Sequence, residues 1–231
     1  MEKKEFLKTS KEYLNEPAPS KEPILPSKAR LGDRIFNIIK FLLGICLLPF
    51  VYSSTVAFLA EMDALDVTFA DYFWRGVISF VVIYLFVYEP VAIYNKGQKI
   101  LEAVFRFFAP LVKVAPYVLP IYTIILLLIY SAYAAISGSS DALKYFVFLF
   151  GFSISLHLIF GAKSLRSRQG DFLKGNYIFG FGLVYIINIF ILVLGFSVLF
   201  SKFSAVNFCN GSLQAAKGIF DVVFTQLFVC R

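Results

Sequence analysis

The sequence predicts an all-α integral membrane protein with about five transmembrane helices, and three observations support this fold class. The chain of 231 residues is 59% apolar and contains 28 Phe, whereas soluble domains are ~45–50% apolar. The apolar residues come in blocks close to the ~20 residues that cross a bilayer as a helix. Lys and Arg gather in alternate loops, which is the pattern of membrane orientation.

Five apolar blocks are predicted to be the transmembrane helices of one polytopic membrane domain, residues 35–200. Each block has a length near or above the ~20 residues required by the hydrocarbon layer. Polar loops separate the blocks and end each helix. The predicted spans are residues 35–60, 73–94, 114–136, 143–162 and 177–200.

The loop charges predict that the N-terminus lies in the cytoplasm and the C-terminus lies outside. Basic residues fill the tail before residue 35 and the loops 95–113 and 163–176, which share one side of a five-span chain. The other side has the acidic loop 61–75 and the turn 137–142, which contains no Lys or Arg. Because Lys and Arg are enriched in cytoplasmic loops, this asymmetry sets the orientation.

Two segments are expected to lie against the cytoplasmic face. Residues 1–34 contain four prolines and many Lys and Glu residues, which predicts a flexible cytoplasmic tail near anionic headgroups. Residues 97–113 place apolar side chains at helical spacing, opposite Lys99, Glu102 and Arg106. This spacing predicts an amphipathic helix along the inner interface, and an ordinary loop is the alternative.

The C-terminal segment, residues 201–231, is predicted to be an extracytoplasmic amphipathic tail. Its stretch 212–229 repeats apolar residues at helical spacing, with Lys217 and Asp221 as an i,i+4 pair on the other face. We expect this helix to lie on the outer surface of the bilayer. A sixth span is the alternative, although burial of the two charges would cost ~2.5–3.5 kcal/mol each.

The three cysteines permit one disulfide. Cys46 lies inside the first span, whereas Cys209 and Cys230 flank the C-terminal helix on the predicted oxidising side, where they could pair. A straight helix over 212–229 would be ~27 Å long, and a disulfide needs Cα atoms within ~7 Å. The helix and the bond therefore exclude each other unless the chain bends, for instance at Gly218. We favour the helix and keep the bond as a hypothesis.

Polar side chains inside the spans are the first candidates for function, because each is costly to place there. Lys40 is near the cytoplasmic end of the first span and is expected to snorkel to the interface. Asn188 lies in the middle of the fifth span, where an interhelical hydrogen bond is favoured over a role as a transport ligand. His157, in the fourth span, is the one histidine of the sequence.

The scarcity of histidine excludes several enzyme classes. A His-based zinc site needs about three protein ligands, which one His and three scattered Cys cannot supply. No G-x-S-x-G elbow accompanies His157, and the sequence has no G-x-x-x-x-G-K-[ST] phosphate loop. No basic patch suited to nucleic acid remains outside the spans. The sequence therefore predicts no cofactor, no metal and no nucleic-acid partner.

Three apolar segments carry motifs in a specific order. They are "VAPYVLPIYTIILLLIY" (114–130), "FLFGFSISLHLIFGAKSLRSRQGDF" (148–172) and "FGFGLVYIINIFIL" (179–192). This order resembles a bacterial branch of the site-2 protease family of intramembrane zinc metalloproteases, over about residues 73–195. That branch has an A-P-Y-x-x-P-x-Y-T span opening, an H-L-x-F helix end with a G-Q-P-D-like loop, and an L-V-x-I-Y-x-x-N span. The first motif is matched by Ala115, Pro116, Tyr117, Pro120, Tyr122 and Thr123.

The resemblance implies a zinc-binding H-E-x-x-H motif at the cytoplasmic end of the second span, where this sequence has Tyr88-Glu89-Pro90-Val91-Ala92. With the glutamate of the motif laid on Glu89, Tyr88 and Ala92 occupy the two histidine positions. Zinc would need two imidazoles one helical turn apart, with the glutamate activating the metal-bound water. Both ligands are missing, and Pro90 removes a backbone donor from this turn. These substitutions exclude proteolysis by the family mechanism.

The third zinc ligand of the family is an aspartate on a later segment. Asp171, in "RSRQGD", is the nearest candidate in this sequence. Without the histidine pair, we expect Asp171 to cap a helix or to pair with Arg166 or Arg168. The resemblance then leaves a relic or binding site made of Tyr88, Glu89, Pro90, Ala92 and Asp171.

The sequence therefore predicts a catalytically inactive relative of intramembrane metalloproteases that acts as a binding or scaffold subunit of a bacterial inner-membrane complex. In that family a groove between spans two to four receives a transmembrane segment, so the implied partners are the lipid bilayer and another membrane protein. The alternative is a small transporter or channel subunit that uses Glu89, His157 and Asn188 along a pathway. A hydrolase with another constellation is weaker, since no nucleophile and base come together.

Overall fold

A computed structural model of the chain describes residues 27–137, 142–167 and 177–228. The chain divides into two compact units, Met1–Ile38 and Ile39–Arg231. Within the first unit, the described residues form the beginning of one helix, so the predicted flexible tail is wrong over residues 27–34. The rest of that tail lies outside the described residues.

Every regular element in the described residues is a helix. Four helices, α2, α7 and large parts of α1 and α6, are long and apolar enough to cross a membrane, and α5 is apolar but shorter. The all-helical class is therefore confirmed, with four described helices of membrane-spanning length, whereas the number of five spans stays a prediction. The helices are α1 (Ser27–Asp63), α2 (Val67–Phe86), α3 (Val91–Val104), α4 (Ala109–Val118), α5 (Ile121–Ser137), α6 (Leu143–Ser167), α7 (Tyr177–Leu199) and α8 (Ala205–Phe228).

Two predicted elements near the α2–α3 connection have the wrong bounds. The predicted span 73–94 corresponds to α2, which begins earlier and ends at Phe86, and the chain leaves the helix before Pro90. The predicted helix 97–113 is not one element, because α3 ends at Val104 and α4 begins at Ala109.

The predicted span 114–136 is also interrupted. Helix α4 ends at Val118 and α5 begins at Ile121, with Pro120 between them. A proline has no backbone N–H and keeps the preceding residue out of the helical conformation. Leu119 is accordingly extended, with ψ at 126°. At this position Pro120, rather than the end of the apolar stretch, separates α4 from α5.

Helices α1 and α7 run parallel to each other. Near their starts, a Cβ atom at Gly44 would lie 3.1 Å from the backbone nitrogen of Phe179. Further along both helices, the hydroxyl of Thr55 hydrogen-bonds to that of Tyr185 at 2.8 Å. Because α1 and α7 run in the same direction, the helices between them must bring the chain back to the end at which α1 started.

Helices α5 and α6 run antiparallel. The hydroxyls of Thr123 and Ser153 are 2.8 Å apart, whereas the later Tyr130 packs against the earlier Phe146, with ring centroids 5.1 Å apart. Helix α5 therefore returns the chain to the end of the unit from which α6 starts, although it has only 17 residues.

Helices α2 and α6 pack against each other along most of their lengths. They are parallel, because Tyr72 packs edge-on against Tyr145 near their starts and Tyr84 against Phe160 near their ends. The ends of both helices therefore lie at the same end of the second unit.

Two glycines bring α2 and α6 into backbone contact. A Cβ atom at Gly76 would lie 2.0 Å from the carbonyl oxygen of Phe148, and one at Gly151 would lie 2.2 Å from that of Phe73. Both obstacles are backbone atoms, which cannot turn aside. Small residues allow this approach between apolar helices, so any larger side chain would separate α2 from α6.

Phenylalanine side chains fill the interior where α1, α2, α6 and α7 meet. The ring of Phe196 lies 5.7 Å from Phe73, 6.1 Å from Phe150 and 6.4 Å from Phe58, measured between centroids. All four side chains are buried. Tilted and edge-on aromatic pairs of this kind add to the stabilisation from burial.

Helix α8 runs alongside α1 in the opposite direction. Just before α8, the ring of Phe203 contacts Phe58. Within α8, a Cβ at Gly211 would lie 3.8 Å from the Cβ of Ala57. Further on, the ring centroid of Phe220 lies 5.7 Å from that of Phe50. The predicted helix 212–229 therefore begins earlier, at Ala205, and follows α1 for ~12 Å, which is not the path of a helix lying flat across its end.

We expect Gly76→Ala and Gly151→Ala each to lower the free energy of unfolding by about 1–3 kcal/mol, because the added methyl groups meet backbone atoms. Gly182→Ala is the matched control, since its Cβ would have no neighbour closer than 3.6 Å. Unfolding in mixed micelles by titration with a denaturing detergent measures all three. Equal stabilities of Gly76→Ala and Gly182→Ala would contradict the backbone contact.

Candidate functional site

Two breaks between helices lie close together at one end of the second unit. The first break is residues 87–90, between α2 and α3, and the second break is residues 119–120, between α4 and α5. The Tyr122 hydroxyl donates a hydrogen bond to the Ile93 carbonyl at 2.6 Å. At Gly97, a Cβ atom would lie 2.8 Å from the ring of Tyr122. The structure thus joins the segment around Glu89 to the A-P-Y-x-x-P-x-Y-T segment.

The first break presents Glu89 outside any helix. The backbone N–H of Tyr88 still donates to the Ile83 carbonyl of α2, and Pro90 is buried at the start of α3. Between them, the Glu89 carboxylate forms an ion pair with the ammonium of Lys163 on α6. Both side chains are partly exposed, so this pair contributes little to stability. Its role is to join two chain segments at this end.

The sequence analysis did not identify Lys163 as the partner of Glu89. Lys163 lies near the end of α6, which the contact with α2 brings next to the first break. One signal was present in the sequence: both charges were predicted at the same membrane face. Which of the several basic residues at that face pairs with Glu89 depends on how the helices pack.

The positions of the implied zinc ligands are not presented on one helical turn. Tyr88 precedes α3, exposed in the first break, whereas Ala92 lies inside α3. A zinc pair in an H-E-x-x-H motif requires both ligands on the same helix face. Asp171 lies outside the described residues. Across residues 27–137, 142–167 and 177–228, no three His, Cys, Asp or Glu side chains are grouped to hold a metal ion.

The second break leaves backbone groups that must find partners. The N–H of Ile121 donates to the Leu119 carbonyl, so the hydrogen-bond ladder of α4 does not continue into α5. The Nδ2 of Asn188 on α7 donates to the Val118 carbonyl at 2.8 Å. Non-helical backbone at membrane depth is tolerated only where such groups are satisfied internally. Asn188 therefore makes the interhelical hydrogen bond that the sequence analysis favoured.

His157 meets Asn188 at the same carbonyl. The imidazole of His157, on α6, lies beside the same carbonyl. Both side chains are buried. Within the part of the chain that the structure describes, His157 Nε2 and Asn188 Oδ1 have no hydrogen-bond partner. We name the carbonyl of Val118 with these two side chains the Val118 cluster.

The three residues that the transport alternative requires do not form one set. His157 and Asn188 converge in the Val118 cluster, whereas Glu89 is partly exposed and paired with Lys163. Lys40 is only 5% exposed, so its side chain does not reach the surface and the predicted snorkelling is wrong. Neighbouring side chains cover it.

The family-motif residues of the second break have packing and hydrogen-bonding roles. Pro116 and Pro120 are fully buried, and Ala115 and Tyr117 are buried beside them. The Thr123 hydroxyl, also buried, bonds to Ser153. With Tyr122 bonded to α3, this motif fixes the positions of α3, α4 and α5 relative to one another.

The predicted disulfide between Cys209 and Cys230 can be examined only at Cys209. Cys46 and Cys209 are free thiols, and Cys230 lies outside the described residues. Helix α8 is continuous from Ala205 to Phe228, with Cys209 in its first turns. The continuous helix is the alternative that was set against the disulfide, and the bond itself stays a prediction.

A pocket of about 230 Å³ lies at the other end of α2, lined by Leu65, Asp66, Phe69, Leu199, Phe200, Ser201 and Lys202. Asp66 caps α2, and hydrogen bonds from the backbone N–H and hydroxyl of Thr68 hold the pKa of its carboxyl below the usual value. Because Lys202 balances the charge of Asp66, the pocket has no preference for one sign of charge.

Comparison with known proteins identifies no relative. The chain matches no protein-family model, no curated protein and no solved structure. The resemblance to intramembrane metalloproteases therefore stays a prediction. The function of the two breaks must therefore be argued from their own side chains.

We expect Asn188→Leu to lower the free energy of unfolding by about 1–3 kcal/mol, because the buried Val118 carbonyl loses a donor. Ser131→Ala is the control, since its exposed hydroxyl bonds only to Leu127 in its own helix. Combined with His157→Leu, the loss should differ from the sum of the single losses, because both side chains lie at the same carbonyl and are therefore coupled. Detergent titration measures the four variants, and strictly additive losses would contradict a shared carbonyl.

Proposed function

We propose that this protein is a non-catalytic integral membrane protein that binds another membrane protein, as a scaffold subunit of a complex in the bacterial inner membrane. One observation carries the proposal. Glu89 is a partly exposed carboxylate in a helix break, paired with Lys163 and bordered by exposed apolar side chains. A carboxylate held in this way serves as an ionic contact rather than as a general base.

The membrane setting is supported by the four apolar helices that are long enough to cross. The orientation is supported by charge. Lys96 and Lys99 are exposed on α3, Arg106 follows that helix, and Arg166 is exposed at the end of α6, all at the end of the unit that contains Glu89. Basic residues favour the cytoplasmic side, so we place the first break at the cytoplasmic interface.

The loss of catalysis is supported by the degenerate motif and by the first break itself. Tyr88 and Ala92 offer no imidazole, and the helix that would hold two ligands is interrupted by Pro90. If the resemblance to intramembrane metalloproteases reflects ancestry, this end of the bundle once received a substrate helix. The retained function is then binding without cleavage.

The partner is proposed to dock beside the end of α2. Phe86, Val87 and Tyr88 are 80%, 76% and 59% exposed, next to the ion pair of Glu89 and Lys163. An apolar transmembrane segment with a polar group near its end would cover these side chains and reach Glu89. Apolar contact area and a hydrogen bond at one end would together set the depth of docking.

We expect a photo-crosslinking amino acid at Tyr88 to capture a discrete membrane-protein partner in native membranes. The control position is Ile136, which is 88% exposed at the end of α5. Lys163→Glu should abolish the adduct because two carboxylates then repel each other, and Lys163→Arg, which keeps the ion pair with Glu89, should retain it. Adducts of equal yield from both positions, or with lipid alone, would contradict specific docking.

We expect Glu89→Gln to leave the free energy of unfolding within about 1 kcal/mol of the wild type, because an exposed ion pair contributes little. The same variant should weaken co-purification of the partner in mild detergent. Arg75→Gln is the control, because Arg75 forms an exposed ion pair with Asp71 within α2. Zinc-dependent cleavage of a membrane substrate that Glu89→Gln abolishes would instead establish an enzyme.

A further inference from the structure

One face of α8 is polar and faces away from its own chain. Polar residues recur every three or four positions along the helix, a spacing that places them on one face. Each is exposed. We name this face the polar stripe; it consists of Asn207, Asn210, Gln214, Lys217, Asp221 and Thr225.

The opposite face of α8 is the one that packs against the bundle. Phe208 and Ala216 are buried there, and Gly211 lies against Ala57. The flanks are exposed and apolar, with Leu213 at 61% and Val222 at 56% exposure. The polar stripe therefore lies between two apolar flanks, on the side where α8 has no helix of its own chain among the described residues.

The contacts with α1 indicate the depth of the polar stripe. Helix α1 has no charged residue from Phe41 to Ala60, a stretch of the length that crosses the hydrocarbon layer. Phe50 lies at the middle of this stretch, and its ring contacts Phe220. Lys217 and Asp221 are within one turn of Phe220, so their side chains start at the middle of the apolar layer.

Charges at this depth need a partner. Intramembrane Lys and Asp residues pair with one another or face the interior of a helix bundle. Among the described residues, neither Lys217 nor Asp221 forms an ion pair. The contact with α1 uses the opposite face of α8, so no described helix of the same chain supplies the pairing groups.

We propose that α8 crosses the membrane as a sixth helix and that its polar stripe packs against the polar stripe of a second copy of this chain. The charges identify the occupant, because each stripe has one cation and one anion four residues apart. In a two-fold dimer with its axis along the membrane normal, Lys217 of each copy pairs with Asp221 of the second copy. This assignment is independent of the docking proposed at Glu89.

Two features of the polar stripe fit a contact between identical helices. At Gly218, beside the stripe, a Cβ atom would meet nothing within 4 Å, so a second helix can approach closely at this level. Asn207, Asn210 and Gln214 offer amide donors and acceptors above the charges. In the same copy-to-copy register, each amide can bond to an equivalent amide across the axis.

The crossing is tested by topology. A reporter fused after Arg231 should be active only in its cytoplasmic form, as should a fusion at the N-terminus, because six crossings return the chain to the side from which it started. A C-terminal fusion active only outside the membrane would overturn the proposal.

The dimer is tested by cysteine cross-linking of the full chain in native membranes. In a background with Cys46, Cys209 and Cys230 replaced by alanine, Gln214→Cys and Thr225→Cys should form disulfide-linked dimers under mild oxidation. Val223→Cys is the matched control, because it is exposed on α8 but lies off the polar stripe. Its yield should be about tenfold lower, a difference that corresponds to about 1.4 kcal/mol.

Charge reversal tests the pairing itself. In the Gln214→Cys background, Lys217→Asp should reduce the dimer yield about tenfold, since each stripe then has two acids and no base. Adding Asp221→Lys should restore the yield, because every pair is re-formed with its signs exchanged. Thermal stability in detergent serves as the folding control. The proposal would be overturned by equal dimer yields at Gln214 and Val223 or by a dimer yield that Lys217→Asp does not change. It would also be overturned if the double reversal failed to restore the yield, or if adducts formed only with a different protein.

Discussion

The backbone contact between α2 and α6 is the constraint on which the rest of the structure depends. Gly76 and Gly151 let the two helices meet without side chains between them, and the helices are parallel. Their ends therefore coincide, and Lys163 at the end of α6 lies beside Glu89 just after α2. Because parallel helices cannot be joined by a short turn, α3, α4 and α5 must return the chain between them. Those connecting helices contain both breaks.

The two breaks show how a membrane protein accommodates prolines near its functional groups. Pro90 and Pro120 each interrupt a helix, and the freed backbone groups must be satisfied within the protein. At the second break, Asn188 provides that satisfaction by donating to the Val118 carbonyl, and His157 lies beside it. Two intramembrane polar residues that suggested a pathway thus have a structural role. Glu89 is different, because its carboxylate is partly exposed and its partner, Lys163, lies on another helix.

Helix α8 and the first break mark two separate surfaces. The first break combines an ion pair with exposed Phe86, Val87 and Tyr88, which suits a partner that supplies an apolar segment. The polar stripe combines one base and one acid at the depth of Phe50, which suits a second copy. Since the two surfaces lie on different helices and use different chemistry, one chain can dimerise and still bind another protein.

The all-helical class, the apolar helices and the approximate positions of α1, α6 and α7 followed from the sequence alone, because hydrophobic blocks of membrane-spanning length are a local property of the chain. Asn188 was also identified correctly as an interhelical donor, since a lone amide in a span has few other uses. The partner of Glu89, the burial of Lys40, the meeting of His157 with Asn188 and the path of α8 along α1 were decided only by the tertiary structure. Each depends on which helices touch and in which direction they run. Residues 74 positions apart in the chain, as Glu89 and Lys163 are, become neighbours only when two glycines allow their helices to pack backbone against backbone.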